Sequence, residues 1–405
     1  MKVFRLATGR PVPPLSDPPL EVQILGRSLE VYQREEIEEA GCVLVDTVPR
    51  DEPYLLISDR TWFTRATLEF IKEAPGRLKV KERQWRRATG PLQQLIEEDV
   101  YELAHIPKGL PPVFTSVPNR EIEIGIVWPE LPTPVHSAMA HAVEVPEPIC
   151  EAGVLQIDHW CHILKANLLA MGATIQREKR RWEESFILVK LWKILGILLR
   201  ARSLKPTYLL QALTTVGKRC LIHPSAVIEG CVLGDDVHIG AFAVVRGSVL
   251  KDGARVEEHA IVNGSIIGAG ARVGRRGMCN LSVLYDNAFV STGWGHQFCL
   301  VGKEAFLAHS AMVYDLSFDK PIKVWQRGER VSSGWYFLGA AIGHRARLGG
   351  RTVVGYGGEV PNDALLVGPA HEALRKWEEG PGPHRVVDGI AKPLGIGRGA
   401  PGEEE

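Results

Sequence analysis

The chain has 405 residues, a length that suits two or three domains. Hydrophobic residues make up 45% and charged residues 24%, the balance of a soluble globular protein. Lys+Arg and Asp+Glu are 48 each, so no global field draws the chain to nucleic acid or an anionic surface; only a local basic patch would do so.

Met1–Asp17 lacks the apolar core of a secretory signal. The longest apolar run, Phe186–Leu199, is 14 residues long and holds Lys190 and Lys193. A spanning helix needs about 20 apolar residues, so this run is expected to be a buried or amphipathic helix, and no membrane span is expected. The seven cysteines (Cys42, Cys150, Cys161, Cys220, Cys231, Cys279 and Cys299) include no CxxC pair. Their odd number and wide spacing fit neither a zinc site nor a disulfide framework, and a cytoplasmic location is expected.

In chain order, Lys2–Ala7, Cys42–Val45 and Tyr54–Ile57 read as short buried strands. Leu29–Ala40, ending at Gly41, and Thr64–Ala74 read as helices. This alternation predicts a small α/β domain over residues 1–150, with the proline-rich stretch Ile106–Pro148 extended or irregular. Ile157–Met171, Ile175–Arg202 and Pro206–Val216 are predicted helices, the last with proline at its first position, and form a helical bridge over 151–217.

From Ile222 the pattern changes to a repeat. Aliphatic residues recur in steps of six, five and six: Ile222, Ile228, Leu233, Ile239, then Val245, Leu250, Val256, Val262, Ile267 and Val273. The short step carries an echo at intervals of 17: Glu229-Gly-Cys, Arg246-Gly-Ser, Asn263-Gly-Ser and Asn280-Leu-Ser. Small residues stand four positions after most of the aliphatics, as at Ala226, Ala243 and Ala260. One aliphatic per flat face, a small residue near the corner and Gly, Asn or Asp for the turn suit a coil of three short strands stacked on its neighbours. The prediction is a left-handed parallel β-helix of hexapeptide repeats over 218–370, with about seven or eight coils. His296 takes a slot meant for an inward aliphatic. Tyr314–Tyr336 leaves the repeat and reads as a projecting loop; the repeat resumes at Ile342. Glu372–Glu379 reads as a short helix, and the rest of 371–405 as disordered.

The opening Leu6-Ala-Thr-Gly-Arg-Pro-Val-Pro-Pro-Leu-Ser-Asp17, followed by Leu25-Gly-Arg-Ser-Leu29 and Leu55-Leu-Ile-Ser-Asp-Arg60, is similar to the start of sugar-1-phosphate nucleotidyltransferases. With the bridge and the repeat, the order resembles the bifunctional pyrophosphorylase/acetyltransferases that make UDP-N-acetylglucosamine, in a shorter, divergent form. Phe298–Gly302, Asp315–Val324 and Gly334–Gly343 resemble that form's β-helix and its inserted loop. The resemblance implies a sugar-phosphate or nucleotide-sugar substrate met by Gly9, Arg10 and Asp315, a metal, Mg²⁺, at Asp59, acetyl-CoA on the β-helix, and a homotrimer. Three features depart from the family. Pro11, Pro13 and Pro14 have no N–H to offer a phosphate, and Pro19 stands where the family has a lysine. Thr292 stands in the slot of the family's catalytic histidine.

Three histidines are therefore candidates for the base of acyl transfer, a role that needs a proton acceptor near neutral pH. His296 would serve if Ser291–Gly295 bulged and brought it to the surface; otherwise it is an interior histidine. His309 and His344 each lie two residues after an inward aliphatic and should point outward. Arg272, Arg275 and Arg276 cluster on one coil and would hold the coenzyme A pyrophosphate, or else form a solvated corner. Asp59 is a metal ligand or a turn residue. Asp158, His159 and His162 have a spacing that suits a metal, but Asp158 is expected to cap the following helix with the histidines in its first turn. Three functions follow: acyl transfer to a sugar phosphate or nucleotide sugar, a non-catalytic trimeric binding or scaffold protein, or sugar-1-phosphate nucleotidyl transfer.

Overall fold

The structure, a computed structural model, describes residues 1–89, 92–124, 149–293, 295–367, 376–377, 384–387 and 390–393. The first domain is built on a six-stranded sheet. Its strands are β1 (Lys2–Leu6), β2 (Val43–Val45), β3 (Tyr54–Ser58), β5 (Gly76–Val80), β6 (Val100–Ile106) and β7 (Asn119–Ile122), in the order β2-β1-β3-β6-β5-β7. β1 pairs in parallel with β2 and β3, whereas β6 runs antiparallel to both β3 and β5. A further strand, β4 (Thr61–Phe63), pairs with β8 (Val154–Gln156) beside the sheet.

Helix α1 (Leu29–Glu39) follows from its sequence. The Ser28 hydroxyl accepts the Val31 N–H at its start, and Leu29, Tyr32, Gln33, Glu36 and Ile37 turn one face into the core. It stops where Gly41 takes a left-handed turn (φ 68°). Helix α2 (Arg65–Lys72) packs beside it, and α3 (Arg83–Thr89) follows β5.

The bridge differs from its prediction. Instead of breaking near Gly172, α4 runs unbroken from Trp160 to Glu184. Gly172 is buried, and the burial of residues such as Ile163, Leu164, Leu169 and Ala173 outweighs the weak helix propensity of one glycine. The break comes at Ser185, before α5 (Ile187–Ala201) and α6 (Pro206–Ala212). Proline stands at the first position of α6, as its sequence indicates.

From Thr215 the chain forms short parallel strands in stacked sheets, the arrangement of a β-helix. Two sheets have eight strands each. A third holds five, from Val227–Glu229 to His296–Gln297, and a last pair joins Met312–Val313 to Val353–Val354. Ile222 aligns with Ile239, then Val256, Val273 and Val290, so the period of 17 is the length of one coil. The aliphatics fill the interior with Ala243, Ala254 and Ala260 between them.

The echo in the short step has a physical basis. Gly230, Gly247 and Gly264 all take left-handed φ values, and Leu281 and Phe298 are held in the same region. The residue after each turn forms a ladder. Ser248, Ser265 and Ser282 each accept the N–H of the equivalent residue one coil on, at 3.1 Å.

The insertion 314–336 does not project. Lys323–Gln326 and Glu329–Ser332 form a hairpin folded back on the first domain. Ile322 and Val324 are buried there, and Gln326 Nε2 donates to the Leu92 carbonyl at 2.8 Å. Together with α4, the hairpin covers one coil sheet, whose Ile266, Val283, Leu300 and Ala341 share a core with the first domain. In the tail, Lys376–Trp377 is strand rather than helix, and it pairs with Ile390–Pro393, which also pairs with His384–Val387. The remaining tail positions assigned to helix or disorder lie outside the described residues, as does most of 107–148.

Candidate functional site

The parallel strands β1 and β3 end side by side, and their C-terminal ends carry two short segments, Thr8–Arg10 and Asp59–Arg60. Asp59 is buried and ties the first segment down. Its Oδ2 accepts the Thr8 N–H at 2.8 Å and the Gly9 N–H at 3.4 Å, and its Oδ1 accepts the Thr8 and Ser58 hydroxyls at 2.7 and 3.3 Å. Gly9 takes φ 62° with open space around it. A carboxylate has about four lone-pair sites. Those of Asp59 are engaged, so the residue acts as a turn anchor, and the donor set does not fit Mg²⁺. Among the described residues no group of three or more His, Cys, Asp and Glu is arranged to hold a metal ion.

Arg60 points into a buried network. It donates to Glu102 through Nε and a terminal nitrogen at 3.1 and 2.5 Å, and to Asp158. Burial pushes the Asp158 carboxyl up, with Arg60 pulling the other way. Asp158 also accepts the Gln94 N–H at 2.6 Å, which fixes the position of Gln94. His159, not Asp158, caps α4, its Nδ1 accepting the Cys161 N–H.

At the surface above this network, two cations meet. Arg10 on the 7–17 loop and Arg327 at the hairpin tip both donate to Gln94 Oε1, at 3.3 and 2.5 Å, and both contacts are exposed. Arg10 is legible in the sequence as a basic loop residue, whereas Arg327 and Gln94 are not. A local signal for Arg327 existed: Arg327-Gly328 is the left-handed pair (φ 51° and 84°) of a two-residue hairpin turn. Its closeness to Arg10 depends on contacts across more than 300 residues.

The remaining candidates are dispersed. His296 is interior, 1% exposed, aligned with Cys279 and thus with the column Ile228, Val245 and Val262. The supposed bulge does not bring it out. Neither ring nitrogen has a hydrogen-bond partner among the described residues, and burial lowers its pKa to about 4. Trp294 in that stretch lies outside the described residues. His309 is exposed on the coil. His344, expected outward, is buried against the first domain, where its Nε2 meets Asp17 Oδ1 at 2.7 Å. Arg272 and Arg275 are paired with Glu257 and Glu258. Arg276 is exposed in a left-handed turn. Asp315 is half-buried beside Gln297, and burial raises its carboxyl. The acceptors one coil earlier explain why the arginine cluster is not free: Glu257 and Glu258 stand 15 and 17 positions before Arg272 and Arg275.

No curated protein matches the chain. Residues 204–315 match the family described as the GMPPB C-terminal domain. The matched segment begins after α5 and ends where the insertion opens. This stacked-strand region is therefore similar to the hexapeptide-repeat domain of sugar-1-phosphate nucleotidyltransferases.

Proposed function

We propose that the chain is a transferase of the sugar-phosphate nucleotidyltransferase kind, and that a phosphorylated sugar or nucleotide sugar binds between the 7–17 loop and the hairpin. The observation that carries this reading is the convergence of Arg10 and Arg327 on one amide oxygen. Two like charges held by a neutral acceptor offer a phosphate several charge-assisted donors at once. Gly9 permits close approach of the loop backbone, while Pro11, Pro13 and Pro14 remove donors beyond it. Recognition is then mainly by side chains. The stacked strands are read as a left-handed β-helix that assembles a homotrimer.

Acyl transfer from acetyl-CoA is a second reading, favoured by the exposure of His309 two residues after the inward Leu307. It requires His309 as base and a donor pocket completed by a neighbouring subunit. A binding protein without turnover is the third reading; the engaged carboxylate of Asp59 supports it.

Thermal unfolding with sugar 1-phosphates, nucleoside triphosphates, nucleotide sugars and acetyl-CoA separates the three. A ligand at 100 times its Kd adds about 2.7 kcal/mol of stability. Stabilisation by a phosphorylated sugar or nucleotide sugar, lost in Arg10→Ala and Arg327→Ala, is expected, together with product formation. Stabilisation by acetyl-CoA alone, with turnover lost in His309→Ala, would replace this reading with acyl transfer. Binding without any turnover would favour the third reading, and no response to any phosphorylated compound would remove the site.

A further inference from the structure

Helix α5 leaves its apolar side chains in solvent. Phe186, just before it, is 84% exposed, Trp192 74% and Leu199 67%, and of its fifteen residues only Ala201 is buried. The most exposed apolar residues gather on one side, although Val189 and Ile197 lie outside it. At 100° per residue, Ile187, Leu191 and Leu195 lie in one row, and Leu188, Trp192 and Leu199 in the next. Lys190, Lys193 and Arg200 lie on the opposite side.

Charge says what covers this face. Residues 185–228 contain seven Lys and Arg (Lys190, Lys193, Arg200, Arg202, Lys205, Lys218 and Arg219) and no Asp or Glu. The whole chain has zero net charge, so this is a local positive segment. Fifteen residues at 1.5 Å each give about 22 Å, less than the roughly 30 Å of a bilayer core. No helix among the described residues is long and apolar enough to cross a membrane.

We propose that α5 lies in the plane of an anionic lipid surface. Its Leu and Ile side chains enter the acyl boundary, and Trp192 and Phe186 sit at headgroup depth. Lys193 and Arg200, on the opposite side, meet the lipid phosphates from the polar face, and Lys190 joins them by leaving the Glu183 carbonyl that it reaches at 2.8 Å. The inference is independent of the sugar-phosphate reading, since Arg10 and Arg327 take no part in it.

The test is sedimentation of the full chain with vesicles of neutral phosphatidylcholine, or of the same lipid with roughly 30% phosphatidylglycerol. Binding to the anionic vesicles is expected at about 0.05 M salt and should fall steeply at about 0.5 M. Lys190→Gln with Lys193→Gln should lower it on the order of tenfold. Leu191→Glu with Leu195→Glu should abolish it while the unfolding temperature stays unchanged, since both sites are exposed. Absence of pelleting, or equal pelleting with neutral lipid, would overturn the proposal. A drop in solution mass for the double Glu variant, in a protein that ignores vesicles, would assign the face to a second copy instead.

Discussion

His344 Nε2 lies 2.7 Å from Asp17 Oδ1 and joins the coils to the first domain across 327 positions of sequence. Its other nitrogen has a second duty. Nδ1 accepts the Lys303 N–H at 2.8 Å, as the Oδ1 of Asp235, Asp252 and Asp286 accept the N–H one coil earlier at their own corners. Because Nδ1 accepts, Nε2 carries the proton and donates it to Asp17. The ring is thus a corner residue that also holds two domains together. His344→Ala and Asp17→Ala should each cost about 1–3 kcal/mol, and the double variant less than their sum. His344→Asn keeps a corner acceptor, as Asn362 does for the His344 N–H, and should lose less than His344→Ala. Equal losses for Asn and Ala, read by denaturant unfolding, would leave the corner without a role.

His296 should limit stability in acid. Its pKa near 4 lies below the ordinary value of 6.5, because burial disfavours the charged ring. The unfolded chain therefore binds a proton that the folded chain refuses between those two pH values. Stability from this site is present above pH 6.5 and is lost as pH falls towards 4, by up to ~3 kcal/mol. His296→Leu restores the aliphatic of the column and removes two unpartnered nitrogens. It should raise stability at neutral pH by about 1–2 kcal/mol and flatten its decline between pH 6.5 and 4. Urea unfolding at several pH values gives both numbers. A destabilised variant with an unchanged pH slope would show that the ring has a partner in solution.

The coils were legible because each must bury one aliphatic per face, which leaves a strict period in Val245, Val262 and Cys279. The same periodicity marked His296 as an inward slot. What could not be read was set by contacts between distant segments. The length of α4 depends on burial against the first domain, which the local glycine does not reveal. The hairpin alternates Ile322 and Val324 with polar residues, yet its docking depends on Leu92, 234 positions away. The fate of His344 was hidden because an outward position on a lone coil becomes buried once Asp17 packs on it. Arg10 was legible as a basic loop residue, but its partner Arg327 was not.

Two glycines in neighbouring turns should respond differently to alanine. Gly247 is exposed at φ 49° with nothing within 4 Å of an added Cβ, so Gly247→Ala costs only the left-handed backbone, about 1–2 kcal/mol. At Gly240 the φ is ordinary, but a Cβ would sit 2.7 Å from the Glu258 backbone nitrogen in the next coil. Gly240→Ala must push two stacked coils apart and should cost about 3 kcal/mol or more. Calorimetry of both variants checks the order. The reverse order would mean that the turn, not coil spacing, limits substitution.

Arg60 is the cation on which the site's geometry depends. Glu102 and Asp158 are both largely buried and both bonded to it. Arg60→Leu leaves two buried carboxylates without their cation and should cost about 3–5 kcal/mol at neutral pH. The sign of its pH dependence follows from the same geometry. Without the guanidinium, the burial that raises the Asp158 carboxyl above its unfolded value loses its main offset. The folded chain then takes up protons more readily as pH falls, so the deficit of the variant should shrink between pH 7 and 5. Arg60→Lys keeps the charge but not the forked donors, and should fall between the variant and the native chain. Because Asp158 also holds the Gln94 N–H, Arg60→Leu should weaken binding of a phosphorylated sugar under conditions where the variant is still folded. Retained affinity in a destabilised but folded Arg60→Leu would separate the buried network from the Arg10–Gln94–Arg327 surface and leave the network a purely structural part of the first domain.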